Sequence, residues 1–410
     1  MAKEIILGID FSRDYSQLSY LDDTGKPKSV SIGTESNYLI PTAVCFNSEL
    51  KEWSAGDEAI NKSHSENSRL IKELPLLFNE DTEEDVGKIM TVFFAYLLKL
   101  AVNQCNGRLI KNILVTVEEV NQNVLKGIKE VLTDLGYQED DIRVISHSES
   151  FVYYVLNQGK DIWINQVYFL NFDRNDFSCR KLNVIKGKQV HVADVTVEDL
   201  NDRMTYDSVK NNMDMADEIV ADYMEDQLKK NVVSGVFLSG EGFYAEGWAK
   251  TLQTICRNRR VFKGNNLIVK GAVYAAKEFF YMKTLKDYII SCKGRTRVRV
   301  TMSVKHKERD SMVTLSDIGD YWYQAKSKTE CIMEEPTEAV FEIHNIMKHT
   351  TEEFRIDLTE FPKRPPKTTR ISVDFKYLTE NKFQITITDL GFGEFFKSSG
   401  MSVTKEIEIG

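Results

Sequence analysis

Hydrophobic and polar positions along the chain follow two regimes. Up to about residue 287, short apolar runs alternate with segments of helical period, and beyond it two-residue alternation takes over. The run EIILGIDFS, continued by YSQLSYLDDTGKP with its turn at Asp22 to Gly25, predicts an N-terminal β-hairpin. After YLIPTAVCFN comes a predicted long helix near 83–105, then a strand in which Ile113, Val115 and Val117 alternate. A helix over 121–135 follows, with Val124, Leu125, Ile128, Val131, Leu132 and Leu135 at helical spacing. IRVISHSES reads as a strand leading into the helix FVYYVLNQG, and 166–184 as a second hairpin. A charged amphipathic helix is predicted over roughly 206–230, then a strand, a Gly-containing turn and a helix in NVVSGVFLSGEGFYAEGWAKTLQTIC. NNLIVKGAVYAAKEFF predicts a last helix, which contains Gly271 and Ala272. Strands alternating with helices argue an α/β domain over 1–287.

In the second regime RISVDFKYLTENKFQITITDL alternates cleanly, with Ile371, Val373, Phe375 and Tyr377 on one face and Phe383, Ile385 and Ile387 after a TEN turn. This predicts an antiparallel hairpin with one buried face, and residues 288–410 are expected to form an all-β sandwich with no helical tail after it.

Composition narrows the partners. Of the 410 residues, 42% are hydrophobic and 28% charged, which suits a globular protein with a sizeable core. A net charge of −9 disfavours a broad nucleic-acid groove, because phosphate binding needs clustered Lys and Arg. The most apolar helix, IMTVFFAYLLKLAV, is interrupted by Lys99 and falls short of the ~20 residues a bilayer requires, so it reads as a core helix and not a membrane span. The six cysteines are scattered and MAKEIILGIDFS runs directly into a strand, so the expected address is the cytoplasm. The six histidines lack partners at metal-ligand spacing, His344 and His349 included, and no Ser-His-Asp or Cys-His signature emerges.

Taken in order, these stretches resemble the actin-like ATPase superfamily, most of all its DnaK-type heat-shock chaperone branch. ILGIDFSRDYSQLSYL resembles the first phosphate hairpin and FLNFDRNDFSCRKL the second. VISHSESFVYYVL resembles the first connecting segment, preceded by NILVTVEEVNQNVLKGIKEVLTDLG. VFLSGEGFYAEGWAKTL resembles the adenosine loop and VKGAVYAA the second connecting helix. Independently, FRIDLTEFPKRPPKTTRISVDFKYLTENKFQITITDLGFGE resembles the closing half of the chaperones' peptide-binding β-sandwich. The resemblance implies a bilobed, ribonuclease-H-like body with shortened outer lobes over 1–287 and a lid-less sandwich over 288–410.

It also implies ATP or ADP with Mg²⁺ as cofactors, and a polypeptide client or protein partner on the β-domain. Asp10 and Asp173 match the carboxylates at the two hairpins, which hold Mg²⁺ through water, and Glu149 matches the acid of the connecting segment. Ser12, Arg13, Arg174 and Asn175 would face phosphates, and Gly240, Glu241 and Gly242 the adenosine. The hairpins depart from the family: where glycines let backbone N–H groups approach phosphate, this chain has Phe11-Ser12-Arg13 and Arg174-Asn175-Asp176-Phe177. Asp14 and Asp176 add negative charge there, and Arg13 and Arg174 offer a side-chain phosphate site in exchange. Ser68 stands at the family's catalytic lysine, with Arg69 and Lys72 as nearby substitutes. Three functions stay open: a nucleotide-binding, chaperone-like ATPase; a pseudo-ATPase kept as an interaction module; and an actin-like assembly protein.

Overall fold

The computed structural model describes residues 4–32, 37–105, 107–306, 309–334 and 337–409. It divides the chain into two compact units, Met1–Tyr288 and Ile289–Gly410. The first is mixed α/β and the second is built of strands.

The first unit opens with β1 (Ile5–Phe11), β2 (Tyr15–Leu21), β3 (Pro27–Ser29) and β4 (Ile40–Pro41). A side sheet of β5 (Ala43–Asn47), β6 (Glu52–Ala55) and β7 (Ser68–Lys72) carries α1 (Asp57–Lys62). Then come α2 (Val86–Gln104), β8 (Ile110–Val117), α3 (Gln122–Asp134), β9 (Ile142–Ser146) and α4 (His147–Leu156). Among the described residues α2 is the one helix long and apolar enough to cross a bilayer. Its face of Ile89, Met90, Phe93, Phe94, Leu97 and Ala101 is buried in the unit, with Phe93 and Phe94 packed on Phe11.

The second half of this unit contains β10 (Gln166–Phe172), β11 (Phe177–Lys186), β12 (His191–Asp199), α5 (Tyr206–Asn211) and α6 (Met213–Lys230). It continues with β13 (Val233–Ser239), α7 (Glu241–Tyr244), α8 (Ala249–Ile255), β14 (Arg260–Lys263) and α9 (Leu267–Phe280). The single helix expected over 206–230 is thus two. At Asn212 the backbone leaves helical geometry (φ −154°, ψ 87°), and its side chain accepts from Met215 N at 3.1 Å as the cap of α6.

Two sheets repeat one plan. The first runs β3-β2-β1-β8-β9, and in the second β12-β11-β10-β13-β14 follow the same sequence of pairings. In each, an antiparallel meander of three strands is extended by two parallel ones. The covering helices are exchanged. Helix α4, which follows the first sheet, lays Phe151 and Tyr154 against Phe169 and Phe237 of the second. Helix α9, which follows the second sheet, crosses the first at Gly8, where a Cβ would stand 2.8 Å from Val273 and 3.0 Å from the Val269 carbonyl. The two helices touch at Gly271, where a Cβ would lie 2.1 Å from the Ser150 carbonyl, and Ser150 Oγ donates to Ile268 O at 2.6 Å.

After β15 (Tyr288–Ser291), the second unit comprises β16 (Arg299–His306), β17 (Arg309–Ser316), β18 (Lys326–Met333), β19 (Glu338–Asn345), β20 (Thr350–Asp357), β21 (Thr369–Thr379), β22 (Lys382–Gly391) and β23 (Ser402–Glu408). Two four-stranded sheets, β17-β16-β19-β20 and β18-β21-β22-β23, face each other. The register Val373↔Ile387, Phe375↔Ile385 and Tyr377↔Phe383 puts the predicted apolar face inward against Val300 and Phe341. Each such fully buried side chain contributes about 1.5–3 kcal/mol.

Candidate functional site

The two hairpin turns of the first unit come from the same position of the repeated sheets. Asp10 lies near the end of β1, opposite Gln17, and Asp173 follows β10. In the second turn Asp173 N donates to Asp176 O at 2.8 Å, and none of residues 173–176 has a positive φ. No glycine is demanded there. Phe177 is extended strand and buried, its ring centroid 4.5 Å from that of Phe172 within a cluster that includes Phe243 and Trp248.

Both turns and the start of α7 line one cavity of about 80 Å³. Asp10, Ser12 and Arg13 come from the first hairpin, Asp173 and Asn175 from the second, and Gly240 and Glu241 from the β13–α7 junction. Side chains bridge the cavity directly. Asn175 Nδ2 donates to both carboxylate oxygens of Asp14 at 3.0 and 3.1 Å. Arg174 Nε donates to Glu241 at 2.9 Å and Tyr15 Oη donates to the other oxygen of Glu241 at 3.2 Å. Arg13 reaches sideways to Glu118 at 3.3 Å.

Both central acids already have protein partners. Asp10 Oδ1 accepts from Ser12 Oγ at 2.7 Å and lies 3.0 Å from His147 Nε2. Asp173 Oδ1 accepts from Glu241 N at 2.9 Å and Oδ2 from Asn171 Nδ2 at 3.1 Å. Burial still pushes the Asp173 carboxyl up to about 6, the two hydrogen bonds offsetting only part of the desolvation. Burial also raises Asp14, against the lowering effect of Asn175 and Arg174.

Glu149 does not line the cavity. It is the third residue of α4, buried, with its N–H capped by Ser146 Oγ, while His147, the first residue of that helix, faces Asp10. Sequence reasoning chose the only acid of the segment. The signal that finds His147 is positional: the first helical residue after a parallel strand sits at the strands' carboxyl edge, where cavities open. Tyr15, Gln17, Asn171 and Arg180 line the cavity as well and were not anticipated.

The glycines of the expected adenosine loop have a packing explanation. Gly240 adopts φ +97° and a Cβ there would meet the Phe172 carbonyl oxygen at 2.4 Å; at Gly242 it would strike the Phe172 ring at 2.4 Å. Ser68, Arg69 and Lys72 belong to β7 of the side sheet and do not reach the cavity, and Arg69 instead pairs with Glu84.

The donor set does not suit Mg²⁺ or nucleotide as placed. Among the described residues no three His, Cys, Asp or Glu side chains group as metal ligands. The Asp10 oxygen toward His147 and both Asp173 oxygens already accept protein hydrogen bonds, and a volume of about 80 Å³ compares with the ~300 Å³ or more of typical ligand pockets.

A domain of unknown function, DUF8552, matches residues 295–409. No curated protein matches the chain. A family of unknown function, DUF5716 (C-terminal), matches residues 26–293, more than half of the chain, and with the repeated sheets and their shared cavity falling largely inside that span, the protein belongs to the DUF5716 family.

Proposed function

We propose that the first unit is a degenerate actin-like ATPase body that serves as a non-hydrolysing interaction module, coupled to a β-sandwich that engages a polypeptide partner. The actin-like reading is supported by the repeated strand order and by the exchange of α4 and α9 between the sheets. The loss of nucleotide chemistry rests on one observation: the Asn175 amide holds both oxygens of Asp14, so the two turns that would embrace phosphates grip each other. A triphosphate entering here breaks that contact and the Arg174–Glu241 pair, exposed interactions worth about 0.2–1 kcal/mol each, and then faces Asp14, Asp176 and Glu241. Hydrolysis also needs a cation and a free carboxylate beside it, whereas Arg13 is paired with Glu118 and both aspartates are engaged.

Thermal unfolding with millimolar ATP·Mg²⁺ tests this reading. The expected result is an unchanged Tm, because a ligand at a hundred times its Kd would add about 2.7 kcal/mol. A rise that Asp10→Asn combined with Asp173→Asn removes would overturn it.

A further inference from the structure

The β22–β23 loop of the second unit presents aromatic side chains to solvent. Phe395 is 95% exposed, Phe392 41% and Met401 38%. The loop is pinned at several points. Arg364 donates to both oxygens of the fully buried Asp389 at 2.6 and 2.8 Å and to Lys397 O at 2.9 Å. Ser399 donates to Asp389 from N and Oγ at 2.8 and 2.6 Å, and Phe392 N donates to Phe396 O at 2.6 Å. A loop fastened in this way holds its phenylalanine out in water at a standing hydrophobic cost.

Beside it lies a place to put one. The edge strands β17 and β18, one from each sheet, flank an open groove lined by Met302, Val304, Met312, Val313, Cys331 and Met333. Ile332, 53% exposed, and Met312, 41% exposed, stand at its mouth. The sheet register aligns Ile332 with Arg370 and Arg370 with Gly391, so loop and groove share one corner of the sandwich, roughly 10 Å apart at ~4.8 Å per strand.

We infer that this corner is a two-fold interface between copies of the chain, in which Phe395 of each copy enters the β17–β18 groove of the other. A peptide strand laid in the groove would leave Phe395 bare, whereas a second copy turned about an axis at this corner covers both features at once, as an isologous contact does. Thioether side chains suit an incoming aromatic ring. The loop brings Glu394 and Lys397, and the groove's rim is acidic, with Asp310 and Glu330, so Lys397 has opposite charge to meet. Phe392, Phe395, Met401, Ile332 and Met312 together expose roughly 500 Å² per copy, on the order of 1,000 Å² for the pair, which reaches the lower bound for a specific interface and suits a weak, concentration-dependent dimer.

Sedimentation of the full chain across a concentration series tests the inference. The wild type is expected to pass from monomer to dimer, and Phe395→Ser and Met312→Glu are each expected to weaken the dimer at least tenfold. Mixing these two variants is expected to restore a dimer with one of its two contacts, since one supplies the groove and the other the loop. Circular dichroism checks that each variant is folded, and Ile332→Asp replaces Met312→Glu if that one is not. A wild type that stays monomeric, a dimer that survives both substitutions, or a mixture that stays monomeric overturns the proposal.

Discussion

Two aspartates show how one residue type serves opposite ends. Asp389 is fully buried yet receives a bidentate arginine, a serine hydroxyl and two backbone amides, so Arg364 holds its carboxyl well below the usual carboxylate range. Its contribution is present above the unfolded value of about 4 and is lost as pH falls through the folded value. Arg364→Met leaves that carboxylate short of its charge partner and is expected to cost about 3–5 kcal/mol, read by denaturant unfolding. Asp173 has only two hydrogen bonds against its burial and sits near 6. The sign reverses: the native state holds the proton more tightly, so the contribution of Asp173 is fully present below about pH 4 and is lost as pH rises through about 6, by about 1–3 kcal/mol. Asp173→Asn is expected to flatten that slope in Tm measured against pH. Asp10 and Asp173 were singled out in the sequence by their match to the hairpin carboxylates of the family it resembles, and both line the cavity. His147 was not, since which residue of a strand–helix junction faces a cavity depends on the helix's first turn. Nor was the innocence of Phe177, because missing glycines matter only where φ is positive, and this turn has no such residue.

Among elements, strands and helices followed the periodicity closely where one face is buried and the other wet, as in α3 and the β21–β22 hairpin. The break at Asn212 escaped the pattern because apolar spacing continues across it, and only the side-chain cap reveals it. Gly271 carries more than periodicity can show. Its lack of a Cβ lets α9 meet the backbone of α4, and Gly271→Ala sets a carbon 2.1 Å from the Ser150 carbonyl, which has no rotamer to escape into. Loss of at least about 2 kcal/mol is expected in denaturant unfolding, with a matching fall in Tm. Gly240→Ala meets a backbone carbonyl and a left-handed φ together, and a similar loss is expected by the same measurement.

For the whole molecule, the division near 288 was visible as a change of period, whereas the repetition of one strand order in two sheets was not, since the sequence showed only strands alternating with helices. The grip between the hairpins was invisible, since Asp14 and Asn175 stand 161 residues apart and nothing local marks them as partners. Amide exchange over residues 8–15 and 171–178 should therefore be indifferent to ATP·Mg²⁺. Asn175→Ala should speed it several-fold in both segments, because the contact joins them. The exchanged helices reach further still. Each sheet takes the cover of one face from the opposite half of the unit, so a cut between α4 and β10 would yield two pieces that each lack one roof and carry the other's. Such fragments should stay unstructured alone and recover a native fold only when mixed, which makes this unit a natural scaffold for a split reporter.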